Sequence, residues 1–206
     1  MAKIESEGFR MLIRKAEVRR QTRETEIRVQ LQVDGTGEYA LDTGVPFLEH
    51  MLALTAKFSG FDLQIRARGD LDVDDHHTVE DVGICLGEAL VKALGDKAGI
   101  GRFGHAIVPM DDALALVAVD LSGRGYLAFD VPMPSPQVGR FDTELVEEFL
   151  RALAYNGRFN LHVRLLAGAN THHIIEAVFK GLGVALGSAA RINAQRGVPS
   201  TKGVIN

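Results

Sequence analysis

The stretches Asp74-Asp75-His76-His77-Thr78-Val79-Glu80-Asp81 and Asn170-Thr171-His172-His173-Ile174-Ile175-Glu176-Ala177 carry one pattern, His-His-x-x-Glu, at an offset of 96 residues (76 to 172). Histidine and glutamate are transition-metal ligand types. Each motif opens a segment with helical periodicity. Neighbouring side chains on a helix diverge by about 100°, so the two histidines of one motif do not readily share an ion. A glutamate three or four residues on lies beside either of them. A single His-His pair at a helix start is most often a solvated end. Its repetition, together with the residues that follow, points to a paired-metal site to which each motif offers ligands for two ions.

The repeat extends outward from the motifs. Leu86-Gly87-Glu88-Ala89-Leu90 matches Leu182-Gly183-Val184-Ala185-Leu186, and Val79, Val82, Leu86 and Leu90 match Ile175, Val178, Leu182 and Leu186. This spacing gives each helix one buried stripe. Upstream, FDLQI (61–65) matches FNLHV (159–163), and Gly35 and Gly37 match Gly123 and Gly125. Each half therefore reads as an alternating strand, a turn (34–37, 122–125), a second strand (38–41, 126–131), a helix (47–58, 142–156), a short strand and the motif helix. The expected fold is α+β: tandem-duplicated half-domains forming a two-layer α/β sandwich, with helices on one face of the sheet and the halves related by pseudo-twofold symmetry. GDKAGIGRFG (95–104) reads as a short loop between halves of about 10–100 and 101–195, within a single domain spanning 1–206.

Composition excludes several classes. The chain has 206 residues and a formal net charge of −4, so it lacks the basic excess of a nucleic-acid binder. Its one cysteine, Cys85, sits in a helical pattern and reads as a small buried residue. The start, MAKIESEGFRMLIRKAEV, mixes charges and lacks the apolar run of a signal peptide. No stretch reaches about 18 uninterrupted apolar residues. The expectation is a soluble cytoplasmic protein with no membrane partner.

Three histidines lie outside the motifs. His50 falls on the first helix and His162 in the strand FNLHV, where a buried polar side chain needs a partner. His105 reads as ordinary surface. Adding His50 and His162 to the motifs gives six histidines and two glutamates, four ligands for each of two ions. Octahedral ions so held would keep positions open for water or substrate. Mixed imidazole and carboxylate ligation without cysteine favours manganese, with iron, cobalt or zinc as alternatives.

Taken in order, these residues resemble the imidazoleglycerol-phosphate dehydratase family of histidine biosynthesis. The resemblance runs from Arg23-Glu24-Thr25 through Phe-Leu-Glu-His-Met-Leu (47–52), Asp-Asp-His-His-Thr-Val-Glu-Asp (74–81) and Pro-Met-Asp-Asp (109–112). It continues through Leu-Ser-Gly-Arg (121–124), Asn-Thr-His-His-Ile-Ile-Glu-Ala-Val-Phe-Lys (170–180) and Pro-Ser-Thr-Lys-Gly (199–203). It implies a fold like domain 2 of ribosomal protein S5 and a hydro-lyase. The reaction would convert imidazole glycerol phosphate to imidazole acetol phosphate through a metal-stabilised imidazolate.

The resemblance also implies two Mn2+ ions per active site, one held by His50, His77, His172 and Glu176, the other by His76, Glu80, His162 and His173. It implies phosphate binding by Arg102, Arg124, Lys180, Ser200 and Lys202, the last two in a C-terminal tail. Glu24 becomes the candidate acid/base, with Glu80 or Glu176 as alternatives. Assembly would be a homo-oligomeric 24-subunit shell with sites between subunits. Asp112 stands where that family commonly has glutamate, a change that keeps the charge. Two other readings compete with it. A dinuclear metal-dependent phosphoester hydrolase predicts phosphate release without an imidazole substrate, and a metal-storage protein predicts indifference to Arg102, Lys180 and Lys202.

Overall fold

Alternation decides the strands. In β2 (Thr25–Gln32) Ile27, Val29 and Leu31 point inward, and in β6 (Ala113–Asp120) Ala113, Ala115, Val117 and Val119 do so. The residues between them are exposed or half-buried, as expected of sheets covered on one face only. A computed structural model describes residues 13–193 and 197–205; the N-terminal part of the charged stretch read above lies outside them.

The first half consists of β1 (Lys15–Gln21), β2, β3 (Tyr39–Asp42), α1 (Pro46–Ser59), β4 (Asp62–Gly69) and α2 (His76–Leu94). The second half repeats this order as β5 (Phe103–Met110), β6, β7 (Tyr126–Asp130), α3 (Leu145–Asn156), β10 (Asn160–Ala167) and α4 (Thr171–Ala190). A short hairpin, β8 (Gln137–Val138) and β9 (Phe141–Asp142), is added before α3. The sheets have equivalent orders, β1-β2-β4-β3 and β5-β6-β10-β7. In each, the third strand of the half runs parallel to its neighbour and the remaining pairs are antiparallel.

Strands β1 and β5 carry little of the expected alternation. β1 buries only Val18, and the inward residues of β5 include Gly104 and Ala106. The segment 95–104 is accordingly not all loop, since β5 begins at Phe103.

α2 covers the first sheet and α4 the second, while α1 packs on α4 and α3 on α2. Each half is thus a sheet with helices on one face, and the two helical faces meet across one continuous core. α4 is long and apolar enough to cross a membrane, but most of it is buried inside the protein, as befits a core helix.

The equivalent glycines of the repeat stand where the helices cross. A Cβ on Gly87 would lie 2.5 Å from Gly157 N and 2.8 Å from Leu153 O of α3; one on Gly183 would lie 2.8 Å from Thr55 O of α1. These obstacles are backbone atoms, which cannot rotate aside. Replacing glycine by alanine in a helix interior ordinarily stabilises by about 1 kcal/mol. Here overpacking dominates, and we expect Gly87→Ala and Gly183→Ala each to cost about 1–3 kcal/mol. Urea unfolding checks this; a higher midpoint in either variant would contradict the close crossing.

Candidate functional site

The second motif is set by its cap. The Asn170 side chain accepts hydrogen bonds from the backbone N–H of His172 (3.0 Å) and His173 (3.3 Å), fixing the first turn of α4. Glu176 follows one turn later and is buried. Because α1 lies against α4, His50 reaches the same point: its Nε2 stands 2.7 Å from Glu176 Oε1, with His172 Nε2 at 3.3 Å. The ligand atoms of these three residues lie within 4.8 Å of one another, the one such cluster of three metal-ligand side chains among the described residues. Phe47 supports it, meeting the His172 ring edge-on at 5.4 Å.

Burial alone would raise the Glu176 carboxyl. Hydrogen bonds from Lys180 (Nζ to Oε2, 2.7 Å) and His50 outweigh it and bring the pKa down to about 2, with a smaller contribution from His172. The carboxylate is therefore charged at neutral pH, as a ligand must be.

At the first motif, Asp74 accepts from His76 N (2.8 Å) just ahead of α2, whose N-cap is Asp75. His77 Nδ1 donates to Asp70 (3.0 Å), which raises the His77 pKa, and its Nε2 lies 4.0 Å from Glu24 Oε2. The hairpin between β1 and β2 thus delivers Glu24 to the motif. His173 is held in the same way, with Nδ1 donating to Asp112 Oδ1 (2.7 Å). The Asp112 carboxyl is kept well below the usual range, first by the N–H groups of Ala169 and Asn170 and then by His173. A carboxylate on Nδ1 orients the ring and turns Nε2 toward another partner; that of His173 lies 3.6 Å from Asp111 Oδ2.

The eight expected ligands do not close into two four-ligand sets within one chain. His76, His77 and Glu80 belong to the start of α2 and stand apart from the His50–His172–Glu176 cluster. His162 lies on the exposed outer face of the second sheet, tilted against Tyr126 at 5.7 Å.

Glu148 is the repeat counterpart of His50, and its carboxylate pairs with Arg151 at 3.8 Å. At the offset of 98 that relates Phe61 to Phe159, the buried residues of α1 (Leu48, Met51, Leu52, Thr55, Ala56) coincide with buried residues of α3 (Val146, Phe149, Leu150, Leu153, Ala154). Glu148 then occupies the place of His50, on the helix that packs against the first motif helix.

The basic residues divide. Arg102 donates to Asp120 (2.8 Å) and to Pro199 O (2.9 Å), which places it next to Ser200. Ser200 Oγ accepts from Lys202 N (3.2 Å), and the Lys202 side chain is exposed. Arg124 is exposed in the turn after β6. Lys180 is occupied by Glu176 and by Met110 Sδ (3.0 Å). Cys85 is buried, and burial pushes its thiol up to about 12, so it is chemically quiet.

Comparison with known proteins agrees with this geometry. The family model described as imidazoleglycerol-phosphate dehydratase matches residues 43–186. Curated proteins of that name from Pelotomaculum thermopropionicum and Desulforamulus reducens are 66% and 58% identical, covering 90% and 95% of this chain and 95% and 100% of theirs. The crystal structure of the Staphylococcus aureus enzyme is 42% identical with a TM-score of 0.79, covering 87% of this chain and 99% of that one. That of the Pyrococcus furiosus protein, in complex with (S)-C348, is 43% identical with a TM-score of 0.79, covering 91% and 99%. With that extent of identity, and with a His/His/Glu cluster built from the repeated motif, this chain belongs to the imidazoleglycerol-phosphate dehydratase family.

Proposed function

We propose that this protein dehydrates imidazole glycerol phosphate to imidazole acetol phosphate in histidine biosynthesis, in the cytoplasm. The observation that carries this reading is the convergence of His50, His172 and ionised Glu176 at the start of α4, within a chain of this family. The donor set suits a divalent ion that accepts imidazole and carboxylate together, and manganese is our choice. A cation bound there would hold a substrate imidazole through nitrogen and favour loss of its ring N–H proton.

The protein's own groups do the rest. Asp70 and Asp112 fix the rings of His77 and His173. Glu24, exposed and beside His77, is the residue we assign to proton transfer at the substrate carbon. Arg102 and Ser200, brought together by the Pro199 contact, receive the phosphate with Arg124 and Lys202. Lys180 acts at least in part by holding Glu176 ionised.

We assign the ligands to two ions, His50, His77, His172 and Glu176 for one and His76, Glu80 and His173 for the other. His162 completes the second set by family resemblance. Because the motifs do not meet within one chain, each active site takes the α2 motif from one subunit and the α4 motif from another. A 24-subunit shell is the assembly we propose. The outer face of the second sheet supports association, since it exposes Phe103, Ile107, Tyr126 and Leu166. The phosphoester hydrolase reading gains no observation of its own.

Metal-stripped protein reloaded with Mn2+ should form imidazole acetol phosphate from imidazole glycerol phosphate; release of inorganic phosphate instead would favour the hydrolase. Glu80→Gln and Glu176→Gln should each abolish activity. Assembled together from a mixture of the two chains, they should recover activity in about a quarter of sites, because symmetric subunits combine intact motifs from different chains. No recovery from a mixed assembly would place both motifs of each site in one chain. Glu24→Gln should lower kcat by about 100-fold or more while leaving metal content unchanged; an unaltered kcat would remove Glu24 from proton transfer.

A further inference from the structure

Lys97 lies between α2 and β5 and is buried, with 4% of its surface exposed. Lysine is almost never buried without a partner. Among the described residues its ammonium makes one hydrogen bond, to Leu121 O at 3.2 Å, although it carries three donors. The carboxylate in its surroundings is Asp120, whose two oxygens already accept from Arg102 at 2.8 and 3.3 Å. Arg158 adds a further positive charge nearby. Lys97 and Arg102 thus share one nearby carboxylate, with Arg158 adding to the local positive charge. Burial pushes the Lys97 pKa down, and Asp120 partly opposes that.

The Leu121 peptide is gripped at both ends: its N–H donates to Arg102 O (3.0 Å) and its carbonyl accepts from Lys97. Leu121 opens the turn that carries Ser122 and Arg124, and Ser122 Oγ accepts from Arg124 N at 3.4 Å. The adjacent backbone binds the C-terminal segment, with Gly99 N donating to Gly197 O (3.2 Å) and Asn193 N to Gly99 O (2.7 Å). One short segment therefore anchors every element that bears a basic group of the anion site apart from α4.

We propose that Lys97 is a positioning residue for the phosphate end of the substrate: it fixes the Leu121–Arg124 turn and contributes buried positive charge that an anion at Arg102 and Arg124 relieves. It does not itself touch the phosphate. The inference rests on the anion site assigned above, and the experiment separates the two.

Equilibrium binding of inorganic phosphate and of imidazole is measured on assembled, Mn2+-loaded wild type and on Lys97→Met, Lys97→Arg and Arg102→Ala. Lys97→Met should weaken phosphate binding about tenfold, through loss of a nearby positive charge and of the hydrogen bond that fixes the Leu121–Arg124 turn. Imidazole binding should stay within about twofold, and KM should rise with little change in kcat. Lys97→Arg, which keeps a cation and donor, should recover most of the affinity. Unchanged phosphate affinity in Lys97→Met, with a loss in Arg102→Ala, would overturn the role of Lys97 alone. Unchanged affinity in Arg102→Ala would overturn the anion site and the inference with it. Equal loss of phosphate and imidazole binding in Lys97→Met would reduce Lys97 to a general structural residue and overturn the proposal. Should Lys97→Met not assemble, Lys97→Gln takes its place under the same criteria.

Discussion

The close crossing of α1 with α4, and of α3 with α2, is the constraint on which the site depends. His50 is 126 residues from Glu176 in sequence, yet their side chains meet at 2.7 Å because Gly183 lets the two helix backbones approach. The repeat places Gly87 at the equivalent crossing in the other pair. The duplicated halves thus exchange helices, each motif helix packing on the shorter helix of the opposite half. Without that exchange the motif would offer only His172 and Glu176 at this point.

Charge then decides what the cluster does. A buried carboxylate is costly unless it is hydrogen-bonded, and Glu176 gathers Lys180, His50 and His172 around it. The same bonds that keep it ionised also hold the imidazoles at its edge. His77 and His173 are oriented from behind by Asp70 and Asp112, so both motifs are braced at the nitrogen away from the proposed ions. Preorganisation of this kind lowers the reorganisation needed when an ion binds.

Much of this was legible in the sequence, because the decisive signals are local. The starts of the two motif helices, the buried stripes of α2 and α4, and the order of the remaining main elements follow from spacing, although the helix read from 142 begins at Leu145, after β9. Strands β1 and β5 were not visible, since their inward faces carry few large apolar residues for periodicity to register. The partnership of His50 with Glu176 depends on helix packing, which no local pattern encodes. His162 illustrates the opposite case: its need for a partner depended on burial, and only the fold shows that its strand turns that position outward from its own chain. Lys97 escaped notice because a lysine in a Gly-rich loop reads as solvated, and only the fold buries it.

In the proposed site the two His-His-x-x-Glu motifs hold a pair of ions between subunits. Anomalous diffraction at the manganese edge, from crystals of the Mn2+-loaded assembly, tests it most directly. Two peaks per chain are expected, one of them at His50, His172 and Glu176, each joined by ligands of the α2 motif from a neighbouring subunit. A single peak coordinated wholly within one chain, or none at this cluster, would contradict it.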